Sequence, residues 1–292
     1  MVSHSIEGRG ADPQAAAPPA ADPTAADPPH ASLAPRRIHG INWIGARTLY
    51  FKEVQRFTKV ATQTVAAPMV TALLMLAIFT LALGEGRETG GVPFVSFLAP
   101  GLVMMSITQN AFANTSSSLM ISKVQGNIVD MLMPPLSAGE FLTCYALAGV
   151  TRGLVVAVAV AAVMTLFVPV QVADPVALIY FPIAGALMMS LIGIAAGLWA
   201  DKFDQLAAVT NFVVTPLAFL SGTFYSIDRL PGIWYTLSHL NPFFYMIDGF
   251  RGGVIGYHDA PAWQGMLVLA AADILLWGLC YLLIRRGYKL KA

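Results

Sequence analysis

Six long apolar runs divide the chain, near Gln63–Gly84, Phe94–Leu119, Phe141–Val168, Val176–Ala200, Gln205–Phe224 and Trp263–Ile284. A helix of about 20 apolar residues crosses a hydrocarbon core of roughly 30 Å and satisfies its backbone polar groups internally. The pattern therefore predicts six transmembrane helices in an all-α integral membrane protein. Two of the runs are irregular: the second turns polar in its later half, and Pro216 and Gly222 interrupt the fifth.

The stretches between the runs are patterned too. "INWIGARTLYFKEVQRFTKV" precedes the first run. At 100° per residue, Ile44, Tyr50, Phe51, Val54 and Phe57 share one face, and Lys52, Gln55, Arg56 and Lys59 share the other. This predicts an amphipathic helix over residues 41–60, lying in the membrane interface with its cations toward headgroups. Between the last two runs, "SGTFYSIDRLPGIWYTLSHLNPFFYMIDGFRGG" is too broken for a spanning helix and too apolar for a solvated loop. Residues 1–40 carry three Ala-Asp-Pro repeats and almost no large apolar side chains, so they read as a disordered tail. That tail lacks a signal peptide's apolar core, which leaves the first span as the expected insertion signal.

Composition agrees with a membrane protein. Hydrophobic residues make up 57% of the chain and charged residues 11%, against about 25% charged in soluble domains. A net charge of +1 gives a nucleic-acid partner no electrostatic support. The five histidines are scattered, and Cys144 and Cys280 lie inside apolar runs, so neither a metal site nor a disulfide is expected. None of the six lysines follows a glycine, so the chain carries no P-loop for ATP. No paired-carboxylate or Ser/His/Asp arrangement stands out either. We read the chain as no enzyme, binding no cofactor of its own.

Cations orient the spans. With both termini on one side, thirteen lysines and arginines fall there, against three outside: Arg87, Arg229 and Arg251. The positive-inside rule puts both termini in the cytoplasm and residues 221–253 outside.

Several residues then invite chemistry. "SKVQGNIVDMLMPPLSAGEF" follows the second span on the cytoplasmic side. Gly126 and Pro134-Pro135 bracket a short helix, Asn127 to Met133, and Ser137 with Glu140 forms a capping box for the third span. Gln125, Asn127 and Asp130 offer polar contacts to a partner, and Ile128, Met131 and Leu132 offer apolar ones; a plain connecting loop is the alternative. Ser106, Asn110, Asn114 and Ser117 form a polar stripe on the second span, able to line a pathway or to bond neighbouring helices. Arg152 lies inside the third span, where a cation costs roughly 2.5–3.5 kcal/mol on insertion scales. It is expected to pair with Glu53, or else to meet an anionic substrate. Asp273, near the middle of the last span, is either a protonated or partnered acid or the carrier of a proton-coupled secondary transporter.

Three of these stretches together resemble the permease subunit of type 2 ABC exporters: "FLAPGLVMMSITQNAFANTSSSL", "GNIVDMLMPPLSAGEF" and "TPLAFLSGTFYSIDRLPGIWYTLSHLNPFFYMIDGFR". The last is the most specific, with Leu-Ser-Gly, Leu-Pro, Asn-Pro and Gly-Phe-Arg in fixed order. The likeness covers residues 41–292. Within the family it extends to small bacterial inner-membrane permeases and to lipo-oligosaccharide-exporter permeases. It implies a six-span permease domain over 61–292 in the bacterial inner membrane, working as a dimer, expected to be a homodimer. It also implies a separate P-loop ATPase that binds ATP and Mg and docks on a coupling helix at Gln125, Asn127, Ile128, Asp130 and Met131. The stretch after the fifth span would form short re-entrant helices, an external lid at Ser221, Gly222, Tyr225, Pro231, Asn241, Pro242 and Arg251. The implied cargo is an amphiphile: a glycolipid, a polysaccharide-lipid or a hydrophobic drug.

Overall fold

A computed structural model describes residues 40–83, 88–89, 91–128, 135–169 and 172–290. The tail over residues 1–39 lies outside the described residues, as do Asp130 and Met131 and most of the expected coupling helix.

The protein is a helical membrane protein. Helix α1 (Trp43–Thr58) precedes α2 (Ala61–Leu83), and an antiparallel hairpin of β1 (Glu88–Thr89) and β2 (Val92–Pro93) leads into α3 (Phe94–Val124). Then come α4 (Ala138–Met164), α5 (Pro175–Trp199), α6 (Phe203–Phe219), α7 (Ile233–Leu240), α8 (Pro242–Ile255) and α9 (Ala262–Arg285). Among the described residues, five helices are long and apolar enough to cross a membrane: α2, α3, α4, α5 and α9. The fifth expected span is α6. It has 17 residues, about 25 Å at 1.5 Å per residue, and a π-helical turn over Thr210–Val214 interrupts it. By length and composition it falls short of the others.

Helices α3 and α5 form the centre. Their most apolar stretches are 78% and 67% buried, against 11% for α2 and 17% for α9. Small residues let the central pair approach: a Cβ at Gly193 would stand 2.6 Å from the Phe112 carbonyl oxygen. Thr115 Oγ1 donates across the same contact to the Ser190 carbonyl, 2.9 Å away. Helix α4 packs on α3, α9 packs on α5, and α2 lies against α3 and α4. On α2 and α9, Leu74, Ile78, Leu81, Ile274 and Leu275 are exposed, as lipid-facing positions should be.

Helix α1 packs on α4. Asn42 caps its start, accepting from Gly45 N at 3.0 Å. The Ser137/Glu140 capping box forms as its spacing predicts, and Glu140 Oε1 also accepts from Asn42 N at 2.5 Å, tying the two helix starts together. The expected faces of α1 need correcting. Phe57 is buried, as its apolar face predicts, but so is Glu53, and Arg56 turns inward to α3 instead of toward headgroups.

Candidate functional site

Among the described residues, three polar assemblies interrupt the apolar body, and a cleft lies beside the first of them. The first lies where α1, α3 and α4 meet. Arg56 Nη2 donates to the Asn114 carbonyl at 2.6 Å and to Asn114 Oδ1 at 2.9 Å. Glu53, 1% exposed, accepts from Arg56 Nε at 3.2 Å and from Ser118 Oγ at 2.7 Å, both through Oε2. The expected Arg152–Glu53 pair does not form, because Arg56 sits on the same helix as Glu53 and reaches it first. Arg152 instead donates to Asn110 Oδ1 at 3.3 Å. Its Nε and the Nδ2 of Asn114 are buried without a partner. A buried donor left unpaired costs about 1–3 kcal/mol, and more when charged.

The stripe on α3 is thus largely engaged. Ser106 Oγ donates to the Leu102 carbonyl at 2.9 Å, and Asn110 Nδ2 to the Ser106 carbonyl at 3.0 Å. Ser117 Oγ turns back to the Ala113 carbonyl at 2.5 Å. Ser106 also lines a cleft of about 500 Å³ bounded by α2, α3 and the end of α6, with Gln109, Pro68, Met75, Phe219 and Phe224 among its walls. Phe224 stacks on Phe79 of α2, 4.9 Å between centroids, and closes one side.

The second assembly gathers the segment after α6. Arg251, fully buried, donates to the Gly222 carbonyl at 2.7 Å and to the Phe97 carbonyl at 3.2 Å. Asp248 stands 3.8 Å from the Arg251 guanidinium. That carboxylate accepts from the backbone N–H of Asp259 at 2.8 Å and of Ala260 at 2.9 Å. Asp259 in turn accepts from Ser226 Oγ at 2.8 Å and Tyr257 Oη at 2.6 Å. Burial, together with that hydrogen bond to Asp259, holds the Tyr257 phenol above its usual range.

Asn241 Nδ2 reaches the Leu217 carbonyl at 2.8 Å, while its Oδ1 caps α8 through Phe243 N. Pro242 therefore begins a helix, at its first position, two residues after α7 ends. Ser221 Oγ donates to the Ala218 carbonyl, and Tyr225 Oη donates to the Phe219 carbonyl at 3.1 Å. Pro231 is exposed. Ser221, Gly222, Asn241 and Arg251 are thus knitted together, and Pro231 stands apart. Trp234 and Tyr235 on α7 are exposed, as interface aromatics would be, but Tyr245 is buried.

The third assembly lies at the far end of α3. Lys123 Nζ donates to the carbonyls of Leu198 at 2.8 Å and Ala200 at 2.7 Å, capping α5. Asp201 stands 3.9 Å from Lys123 and 2.5 Å from Lys289. The hydrogen bond from Lys289 holds the Asp201 carboxyl below the usual range. Nearby, Gln125 and Asn127 are exposed. Ile128, expected to offer a partner an apolar contact, is 4% exposed and joins the cluster of Leu49, Leu119 and Phe141.

Asp273 belongs to none of these assemblies; its Oδ1 is buried without a partner. Among the described residues no group of histidines, cysteines and carboxylates could hold a metal. Both cysteines are free and buried.

Sequence reasoning missed Phe97, Asp248 and Asp259, and it named Glu53 and Arg56 without pairing them. Asp248 and Arg251 are spaced three apart on a helix, which is a readable signal. The others needed the packing.

Comparison with known proteins fits this architecture. Residues 46–255 match the family described as ABC-2 type transporter. The chain is 38% identical over 251 residues to the inner membrane transport permease YadH of Escherichia coli K12, covering 86% of this chain and 98% of the relative. It is 26% identical over 258 residues to nodulation protein J of Rhizobium leguminosarum bv. trifolii, covering 84% of this chain and 94% of that one.

Proposed function

The chain belongs to the ABC-2 type transporter family, so it is the membrane subunit of an ABC transporter, and we propose that it is an exporter of amphiphiles. Subunits of this family work with an ATPase. In this reading a partner ATPase binds ATP and Mg and docks near Gln125 and Asn127. Both termini are cytoplasmic in the bacterial inner membrane, α6 serves as the short fifth span, and residues 221–253 form the external lid. Two copies form the working dimer.

The cleft between α2, α3 and α6 carries the reading. It is mostly apolar, with Thr71, Ser106 and Gln109 as isolated polar groups. Such walls suit a glycolipid, a polysaccharide-lipid or a hydrophobic drug. Phe212 and Phe219 of α6 and Val70 and Leu74 of α2 are exposed, which suits a second copy or lipid beside the cleft.

The test is purification of the tagged chain in gentle detergent from its host, with every co-purifying protein identified. A stoichiometric P-loop ATPase supports the exporter. Its loss on Gln125→Arg with Asn127→Arg, with the chain still folded, places docking at that segment. A folded chain that comes down alone, where other ABC complexes survive, sinks the reading. The unpartnered Oδ1 of Asp273 favours one rival, proton coupling. Transport that needs ATP and survives Asp273→Asn dismisses it.

A further inference from the structure

Arg152 carries a charge that nothing in the described structure balances. Glu53 is the one carboxylate in its assembly; Arg56 and Ser118 occupy its Oε2, and its buried Oε1, which has no hydrogen-bond partner, belongs to a carboxylate beyond ion-pair distance of Arg152. Among the described residues no carboxylate lies within ion-pair distance of Arg152. A guanidinium presents five N–H donors in a planar fork. Arg152 uses one of them, on Asn110, and its buried Nε has no partner. Asn114 adds a second orphan, its Nδ2, since its Oδ1 is taken by Arg56.

The depth of this cluster follows from the helices. Helix α2 has 23 residues, about 34 Å at 1.5 Å per residue, so it fills the hydrocarbon core and its first residues mark one boundary. Arg56 lies just before that boundary and grips Asn114. Asn110, which holds Arg152, is one helical turn along α3 from Asn114. Arg56 and Asn114 therefore sit at headgroup depth, beside the corner where α1 turns into α2, and Arg152 with Asn110 lies one turn, about 6 Å, further toward the membrane interior.

We infer that this cluster is a binding site for one anionic headgroup, a phosphate or a carboxylate. The Arg152 fork and Asn114 Nδ2 act as donors, while Arg56, balanced by Glu53, holds Asn114 in place. A planar guanidinium matches two oxygens of such an anion in a way a neutral choline or sugar headgroup does not. The depth of the site selects an anionic lipid over a free ion. The inference does not depend on export, because binding is read without ATP or a partner.

Native mass spectrometry of the full chain, released from nanodiscs, tests it. Wild type should retain phosphatidylglycerol in preference to phosphatidylcholine. Arg152→Gln should weaken that retention about tenfold, the loss of a charge-assisted pair, and Arg152→Lys should weaken it less. Equal retention by Arg152→Gln, folded by gel filtration and melting, overturns the site. Protection of the wild-type chain by inorganic phosphate alone, with the same Arg152 dependence, would overturn the lipid assignment in favour of a free anion. Should Arg152→Gln fail to fold, a photoactivatable phosphatidylglycerol on wild type decides the matter. Label on the peptides around Asn110 or Arg152 supports the site, and label only elsewhere refutes it.

Discussion

Arg251 lays its guanidinium over the ring of Phe97, 3.7 Å from the centroid, while donating to the same residue's backbone carbonyl. One side chain on α8 thus holds the first turn of α3 by both face and edge. The contact is dry, so each interaction has little water to compete with.

Removing that cation strands Asp248, a buried carboxylate. Arg251→Gln should lower stability by roughly 3 kcal/mol or more, the usual cost of breaking a buried pair. Arg251→Lys should rescue little, because an ammonium cannot reach two carbonyls and cover a ring at once. Thermal unfolding in detergent reads both variants. A Lys variant as stable as wild type would show that charge alone matters here.

Gly193 governs how closely α3 and α5 approach. An added Cβ would meet Thr115 Oγ1 at 2.2 Å and the Phe112 carbonyl oxygen at 2.6 Å, and the second is backbone that cannot swing away. Gly193→Ala should therefore destabilise by about 1–3 kcal/mol, the range for overpacking. Gly278→Ala, with open space around its Cβ, is the control and should be neutral or slightly stabilising.

The Asp201–Lys289 pair predicts a response to acid. Its lowered carboxyl pKa means that the pair contributes above the unfolded value, near 4. That contribution is lost as pH falls through the lower folded value. A spin label at Tyr288 should stay ordered from pH 8 to pH 5 and gain mobility below about pH 4. Lys289→Met should abolish the step, and a step that persists would assign it to another group.

Much of the fold was legible because membrane spans announce themselves by length. The capping box at Ser137 and Glu140 was legible as well, since its chemistry is local. Helix α6 was harder: Pro216 marked an interruption, but the π turn itself falls just before it, in Thr210–Val214. Arg56 was misplaced because a helical-face argument sends every cation to water, whereas Asn114 and Glu53 offered it protein partners. Ile128 was misjudged for the converse reason: an apolar side chain in a polar segment suggests a partner, but here it fills the molecule's own core. The Asp248–Asp259 network joins residues through backbone N–H groups, which no pattern of side chains records.

The ammonium of Lys123 has a mechanical consequence. Two residues beyond it in the chain stands Gln125, exposed at the end of α3, while the ammonium itself grips the last carbonyls of α5. Through Asp201, the same anchorage extends to Lys289, after α9. A force applied at Gln125 cannot bend one helix in isolation. It loads α3 and α5 together through the Lys123 ammonium, with the end of α9 tied in by an exposed ion pair.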